Sequence, residues 1–138
     1  MKTSLVTGGA GFIGSHLVDK LLSMGHNVIV LDNETSDGHD QYYWNDRATN
    51  YPVDIRTFWH IADKFRGVDY VYHLAAKASV QASIAKPMDT METQVMGTVN
   101  VLEAARAAGV EKFIYSSTSA CYGNNNPIPN TEIMREDP

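Results

Sequence analysis

Thr7-Gly8-Gly9-Ala10-Gly11-Phe12-Ile13-Gly14 is the stretch that decides how the rest of the chain is read. A short apolar run, Ser4-Leu5-Val6, precedes it, and an amphipathic run from Phe12 to Met24 follows. That order reads as strand, glycine turn, helix. Gly9, Gly11 and Gly14 satisfy G-x-G-x-x-G, and Gly8, Gly11 and Gly14 also satisfy G-x-x-G-x-x-G. The first glycines permit a tight turn with positive φ. The middle one lets a pyrophosphate lie against bare backbone, and the last lets the helix pack close on the strand. The helix start then offers unpaired N–H groups and a positive dipole end to phosphates.

A glycine triplet alone is weak evidence; its confirming context is a second strand that ends in an acid about 20 residues on. Asn27-Val28-Ile29-Val30-Leu31-Asp32 supplies that context, with Asp32 lying 18 positions after Gly14. An ionised carboxylate there accepts from an adenosine ribose 2′-hydroxyl and repels a 2′-phosphate, which predicts NAD rather than NADP. The alternative is an exposed turn aspartate.

The bulk numbers narrow the class. A chain of 138 residues fits one domain, here residues 1–138. Its 11 basic and 16 acidic side chains give a net charge of −5. No Lys/Arg cluster stands out, which argues against a nucleic-acid partner. Cys121 is the sole cysteine, so no internal disulfide can form, and the five histidines show no metal-ligand spacing. Met1 to Thr7 is too short and polar for a signal peptide. No apolar run approaches the ~20 residues of a membrane span. The expectation is a soluble cytoplasmic protein without metal or membrane partner.

Further along, the first helix carries Ile13, Leu17, Val18, Leu21 and Met24 on one apolar face, and Gly25 suits its end. Asn33 to Asn50 reads as a long polar loop with room for one helical turn. Its aromatics, Tyr42-Tyr43-Trp44, either cover an adenine or pin the loop. Tyr51-Pro52-Val53-Asp54 reads as a brief third strand, followed by a helical segment around Phe58, Ile61, Ala62 and Phe65 that Gly67 closes. Asp54 at that strand end can accept from an adenine amino group or cap the helix, and Ile55 can pack on the ring. Val68 to Leu74 is the fourth strand. Small residues after it, Ala75 and Ala76, let backbone lie against a dinucleotide. His73 reads as a hydrogen-bonded strand-end histidine in preference to a base. Lys77 to Lys86 reads as a small-residue loop. Pro87 to Ala108 is a long helix, with Pro87 suited to its first position and a buried stripe of Met88, Met91, Val95, Val99 and Leu102. Gly97 within it allows close approach of neighbouring backbone. Lys112 to Tyr115 is the fifth strand, running into Ser116-Ser117-Thr118-Ser119, hydroxyls at a strand end where doubly wound sheets bind ligands. Asn124 to Pro138 reads as coil. Alternating units of this kind predict an α/β fold: a Rossmann-type doubly wound parallel sheet of order 3-2-1-4-5, ending before a sixth strand.

Five blocks, TGGAGFIGSHL, VLDN, DIR, HLAAKASVQASIAKP and YSSTSACYG, together resemble the extended short-chain dehydrogenase/reductases, the NAD-dependent epimerase/dehydratase family, along the whole chain. Its UDP-glucose 4-epimerases are the most similar subgroup. The resemblance implies NAD as cofactor, held by Gly8, Gly11, Phe12, Ile13, Gly14, Asp32, Asn33, Asp54, Ile55, Leu74, Ala75, Ala76 and Ser116. It implies a nucleotide sugar as substrate, touched by Lys77, Ser79, Ser117 and Thr118, with Thr118 as the catalytic hydroxyl on the sugar 4-hydroxyl. The implied reaction oxidises the sugar at C4, rotates the 4-keto sugar and returns the hydride. Relatives also dimerise through the long helix, so a homodimer or other self-association is expected.

Two departures stand beside the resemblance. The family's general base is a Tyr assisted by a Lys four positions on, and none of the seven tyrosines here has Lys at that position. The chain is therefore expected to be the truncated cofactor half of an epimerase, lacking the substrate domain and inactive alone; the alternative is a non-catalytic NAD-binding module. Ser119 and Ala120 fill the places where dehydratases and decarboxylases of this fold carry acids, which favours epimerisation. Gln94 stands where relatives commonly have Asn, Lys77 where many have Gln, and Cys121 takes an apolar position that predicts buried packing.

Overall fold

A computed structural model describes residues 1–36, 38, 40–123 and 129–134. Five strands, β1 (Thr3–Thr7), β2 (Asn27–Asp32), β3 (Thr49–Pro52), β4 (Tyr70–His73) and β5 (Lys112–Tyr115), form one parallel sheet in the order β3-β2-β1-β4-β5. This is the order the alternation of elements predicts. The central strands are apolar on both faces, as a doubly covered parallel sheet requires. Leu5 and Leu31 join Ile61, Phe65, Val71 and Val101 on one side. Val6 and Val30 join Val18, Leu21 and Leu22 on the other.

Helix α1 (Phe12–Ser23) covers the second side. It ends at Gly25, whose φ of +81° is one that L side chains rarely adopt. The first side is covered by α2 (Phe58–Ile61), a 3₁₀ turn over Ala62–Phe65, and the long helix. That helix consists of α4 (Pro87–Met91), a π-helical stretch Glu92–Gly97, and α5 (Thr98–Ala108).

Several expectations are corrected. The third strand begins at Thr49 and stops at Pro52, leaving Val53 and Asp54 outside the sheet. The fourth covers only Tyr70–His73. No helical turn forms among the described residues of 33–48; Asp37 and His39 lie outside them. Residues 77–86 are not simply loop, because α3 (Val80–Ala85) forms there, capped by the Ser79 hydroxyl accepting from Ala82 N at 3.2 Å. Of the tail, 124–128 and 135–138 lie outside the described residues, and 129–134 is coil and turn. Cys121 is half-buried, not fully packed.

The largest correction concerns the long helix. Met88, Met91, Val95, Val99 and Leu102 face outward, with Met88 70% exposed. The inward side is built instead from Thr93, Gly97, Val101, Ala104 and Ala105. At Gly97 the helix packs against the turn that follows β3, where a Cβ would lie 2.7 Å from Ile55 Cδ1. In α1, Ile13 and Met24 are likewise exposed, while Val18, Leu21 and Leu22 are buried.

Candidate functional site

The C-terminal ends of β1, β2 and β4 open on a cleft of about 310 Å³. It lies where doubly wound sheets bind ligands. Gly8, Gly11, Phe12, Ile13, Gly14 and Asp32 all line it, so the opening motif and the acid it required meet in one place. Gly8 adopts φ +68°, and a Cβ there would sit 2.8 Å from Ala75 N. At Gly14 a Cβ would fall 2.1 Å from Gly8 O. The turn is thus packed backbone on backbone, and Gly8 N donates to Leu31 O at 2.8 Å to hold it on β2. Gly11 is the N-cap of α1 and no side chain caps that end. The first-turn donors of a helix have no partner within the helix, so this end suits an anion.

Asp32 sits against that turn. Its Oδ2 accepts from Ala10 N at 3.1 Å and its Oδ1 from Glu34 N at 2.8 Å. A carboxylate offers about four lone-pair sites, so two backbone donors leave capacity for a ribose hydroxyl. Asp32 is half-exposed and lines the cleft, and its bond from Glu34 N is also the one a turn aspartate makes.

Asn33, Ile55, Leu74, Ala75, Ala76, Lys77 and Ser116 also line the cleft. Asp54 does not, and it does not cap the following helix. Its carboxylate takes Arg56 Nη2 at 2.7 Å, Arg56 Nε at 2.9 Å and Asn33 Nδ2 at 3.0 Å. Burial works to raise its pKa, but the hydrogen bonds from Arg56 outweigh that and hold it below the ordinary carboxylate value. The helix after it starts at Phe58, behind an N-cap, Thr57, that makes no side-chain bond. Arg56 reaches on to Asp89 Oδ1 at 2.8 Å, so Asp54 anchors an ion-pair network instead.

His73 is 2% exposed at the end of β4. Its Nδ1 lies 2.7 Å from Thr7 Oγ1 and its Nε2 lies 2.9 Å from Thr98 Oγ1. Thr7 Oγ1 already accepts from Leu74 N and Ala75 N, both at 3.2 Å. Its own hydrogen therefore goes to Nδ1, which leaves the ring proton on Nε2 to donate to Thr98. Thr98 in turn donates to Gln94 O at 2.6 Å. Burial pushes the His73 pKa down to about 4, so the ring is neutral. It holds the cleft floor and stands behind it, as the strand-end reading expects. Gln94 continues the support: Oε1 accepts from Lys77 N at 2.9 Å, and Nε2 donates to Lys77 O at 3.1 Å.

The hydroxyl run is less concentrated than expected. Only Ser116 lines the cleft. Ser117 and Thr118 are exposed, and Thr118 Oγ1 accepts from Ala120 N at 3.1 Å, capping a 3₁₀ turn over Ser119–Tyr122. Ser79 is occupied as the α3 cap and lies outside the cleft wall. Conversely, Thr35, Ser36, Tyr42 and Thr93 line the cleft without having been singled out as cofactor residues. Tyr42 was legible as an aromatic of uncertain duty. Its hydroxyl accepts from Ser36 N at 2.7 Å, and neighbouring Trp44 Nε1 donates to Glu34 Oε1 at 2.7 Å. These aromatics pin the loop, and Tyr42 also walls the cleft.

A parallel sheet of this order, with a bare glycine turn at its central strand and a carboxylate at the next strand end, defines a dinucleotide-binding domain. Comparison with known proteins narrows the class. The model of the NAD dependent epimerase/dehydratase family matches residues 4–138. A UDP-glucose 4-epimerase of Klebsiella pneumoniae is 36% identical over 135 residues, covering 93% of this chain and 97% of the relative. The crystal structure of Thermotoga maritima UDP-glucose 4-epimerase with UDP-glucose aligns with a TM-score of 0.83 at 40% identity, over 99% of this chain and 45% of that one. The Thermus thermophilus UDP-glucose 4-epimerase complex with NAD aligns at 0.82 and 36% identity, over 99% and 44%. The chain belongs to the NAD-dependent epimerase/dehydratase family. It spans about two-fifths of the length of several curated relatives it matches.

Proposed function

We propose that this chain is the NAD-binding portion of a nucleotide-sugar 4-epimerase acting on a UDP-hexose. The observation that carries the reading is Asp32 held beside the uncapped Gly8–Gly14 turn, in a cleft where any Cβ at Gly8 or Gly14 would collide with backbone. The residues fit the cofactor. The glycine turn and the start of α1 receive the diphosphate, Asp32 accepts from the adenosine ribose, and Ile55 offers an apolar side chain to the base. Leu74, Ala75 and Ala76, fixed from behind by Thr7 and His73, form the wall along which the dinucleotide extends toward Ser116. When bound, NAD supplies reversible hydride transfer at the sugar C4.

Thr118 is the chain's own contribution to the sugar. Its Oγ1 accepts from Ala120 N, which leaves the hydroxyl hydrogen to donate to a sugar oxygen. Ser119 and Ala120 provide no acid for elimination, which favours epimerisation over the dehydratase chemistry named for one similar structure, a dTDP-glucose 4,6-dehydratase. The Tyr-x-x-x-Lys pair is not present in these 138 residues, so proton transfer from the sugar hydroxyl has no assigned base here. A second reading, resting on the same glycine turn and Asp32, is an NAD-binding module without turnover of its own.

Calorimetry with NAD tests the binding claim; a dissociation constant weaker than millimolar would sink both readings. Assay of UDP-glucose/UDP-galactose interconversion then separates them. The chain alone is expected to be inactive, and fusion to a segment that carries Tyr-x-x-x-Lys is expected to restore turnover. Failure of that fusion on any UDP-hexose favours the binding module.

A further inference from the structure

One side chain ties two walls of the cleft together. Lys77 follows β4, and its Nζ donates to the carbonyl of Thr35, which follows β2, at 2.7 Å. β1 lies between those two strands, so the contact passes over the end that carries the glycine turn. A lysine is rarely buried, yet this side chain is only 10% exposed. Its ammonium also pairs with Asp89 Oδ2 at 3.5 Å, and Asp89 is itself held by Arg56. Both ends of the crossing are anchored. On the β4 side, Gln94 bonds both the N–H and the carbonyl of Lys77. On the β2 side, Ser36 N donates to Tyr42 Oη, and Tyr43 N donates to Ala10 O at 2.8 Å. Lys77, Thr35, Ser36 and Tyr42 all line the cleft, so the crossing is part of its wall.

We propose that Lys77 is a positioning residue that bars the cleft, so that the cofactor enters and leaves only when the Lys77–Thr35 contact opens. This rests on the NAD reading above. A bar that opens for both directions of traffic slows association and dissociation alike and leaves the equilibrium little changed. A direct hold on the cofactor's phosphates does something different: it slows dissociation and tightens binding, with a marked salt dependence.

Two measurements on the full chain test the bar. Amide hydrogen exchange, without cofactor, compares wild type with Lys77→Met at residues 34–36 and 42–43. Exchange there is expected to rise roughly tenfold, the scale of losing one charge-assisted hydrogen bond. Stopped-flow fluorescence with NADH then compares rates: both the association and dissociation rates should rise by similar factors of roughly ten, with Kd within about threefold of wild type. Lys77→Arg keeps a cationic donor and should return both rates toward wild type. Should Lys77→Met fail to fold, Lys77→Gln replaces it. Unchanged exchange and rates overturn the proposal, as does a faster dissociation alone with weakened, salt-sensitive binding. If wild-type protein binds no NADH, the NAD reading fails and the gating of NADH fails with it, while exchange still decides whether Lys77 ties the two walls together.

Discussion

Thr7 Oγ1 and His73 Nδ1 lie 2.7 Å apart at the ends of adjacent strands, and the bond between them fixes the imidazole as the neutral Nε2–H form. Stability should therefore depend on pH in a specific way. Burial lowers the folded pKa to about 4 from an ordinary 6.5, so the unfolded chain binds the proton first. Stability is full above pH 6.5, falls as pH drops toward 4, and flattens below that. The slope is about 1.4 kcal/mol per pH unit at most, for a total on the order of 3 kcal/mol. Urea unfolding of wild type and His73→Gln across this range checks it. The variant should be less stable at pH 7 and lose much less on acidification.

Gly14→Ala should be far more harmful than Gly25→Ala, although Gly25 has the positive φ. A Cβ at Gly14 would meet Gly8 O at 2.1 Å, and backbone must move. At Gly25 nothing lies within 4 Å, leaving only backbone strain of about 1 kcal/mol. Gly14→Ala should cost about 1–3 kcal/mol of stability through overpacking and abolish NAD binding by displacing the phosphate turn. Thermal melts and calorimetry on both variants check the contrast.

Asp32→Asn should weaken NAD binding about tenfold and reduce the preference over NADP. The carboxylate now accepts from two backbone donors, one on each oxygen. An amide presents one oxygen and one NH₂ group, so either Ala10 N or Glu34 N loses its acceptor. Removing the negative charge also removes the repulsion of a 2′-phosphate. Titration with both dinucleotides reads the ratio directly.

The fold and the mouth of the cleft were legible because their causes are local. Positive φ, absent Cβ atoms and unbroken apolar strands are written in consecutive residues, as Gly8–Gly14 and Val28–Leu31 show. Helix facing was not, because it depends on what the neighbouring element brings. The stripe through Met88, Val95 and Leu102 has the right period, but Val101 and Ala104 offer closer approach to the sheet and Gly97 to the turn after β3, and the closer packing wins. The helix-cap role read for Asp54 failed for a similar reason: Arg56, two residues on, takes its carboxylate with its guanidinium and its N–H. The Lys77–Thr35 contact spans 42 residues and had no sequence signal at all.

That outward stripe carries the last expectation. Met88, Met91, Val95, Val99 and Leu102 recur at three- and four-residue steps, so they share one helix face, and each is at least 45% exposed. Met96 lies beside them at 55%. A contiguous apolar face of this length marks an interaction surface more often than a solvated one. The chain should therefore self-associate, and the replacement pair Val95→Lys and Leu102→Lys should return it to a monomer. Because both side chains are already 45% exposed, the pair should shift the melting temperature little while altering the mass seen by light scattering. A wild-type chain that scatters as a clean monomer at high concentration would refute the association. A double variant that unfolds would show that the face is needed for the fold itself.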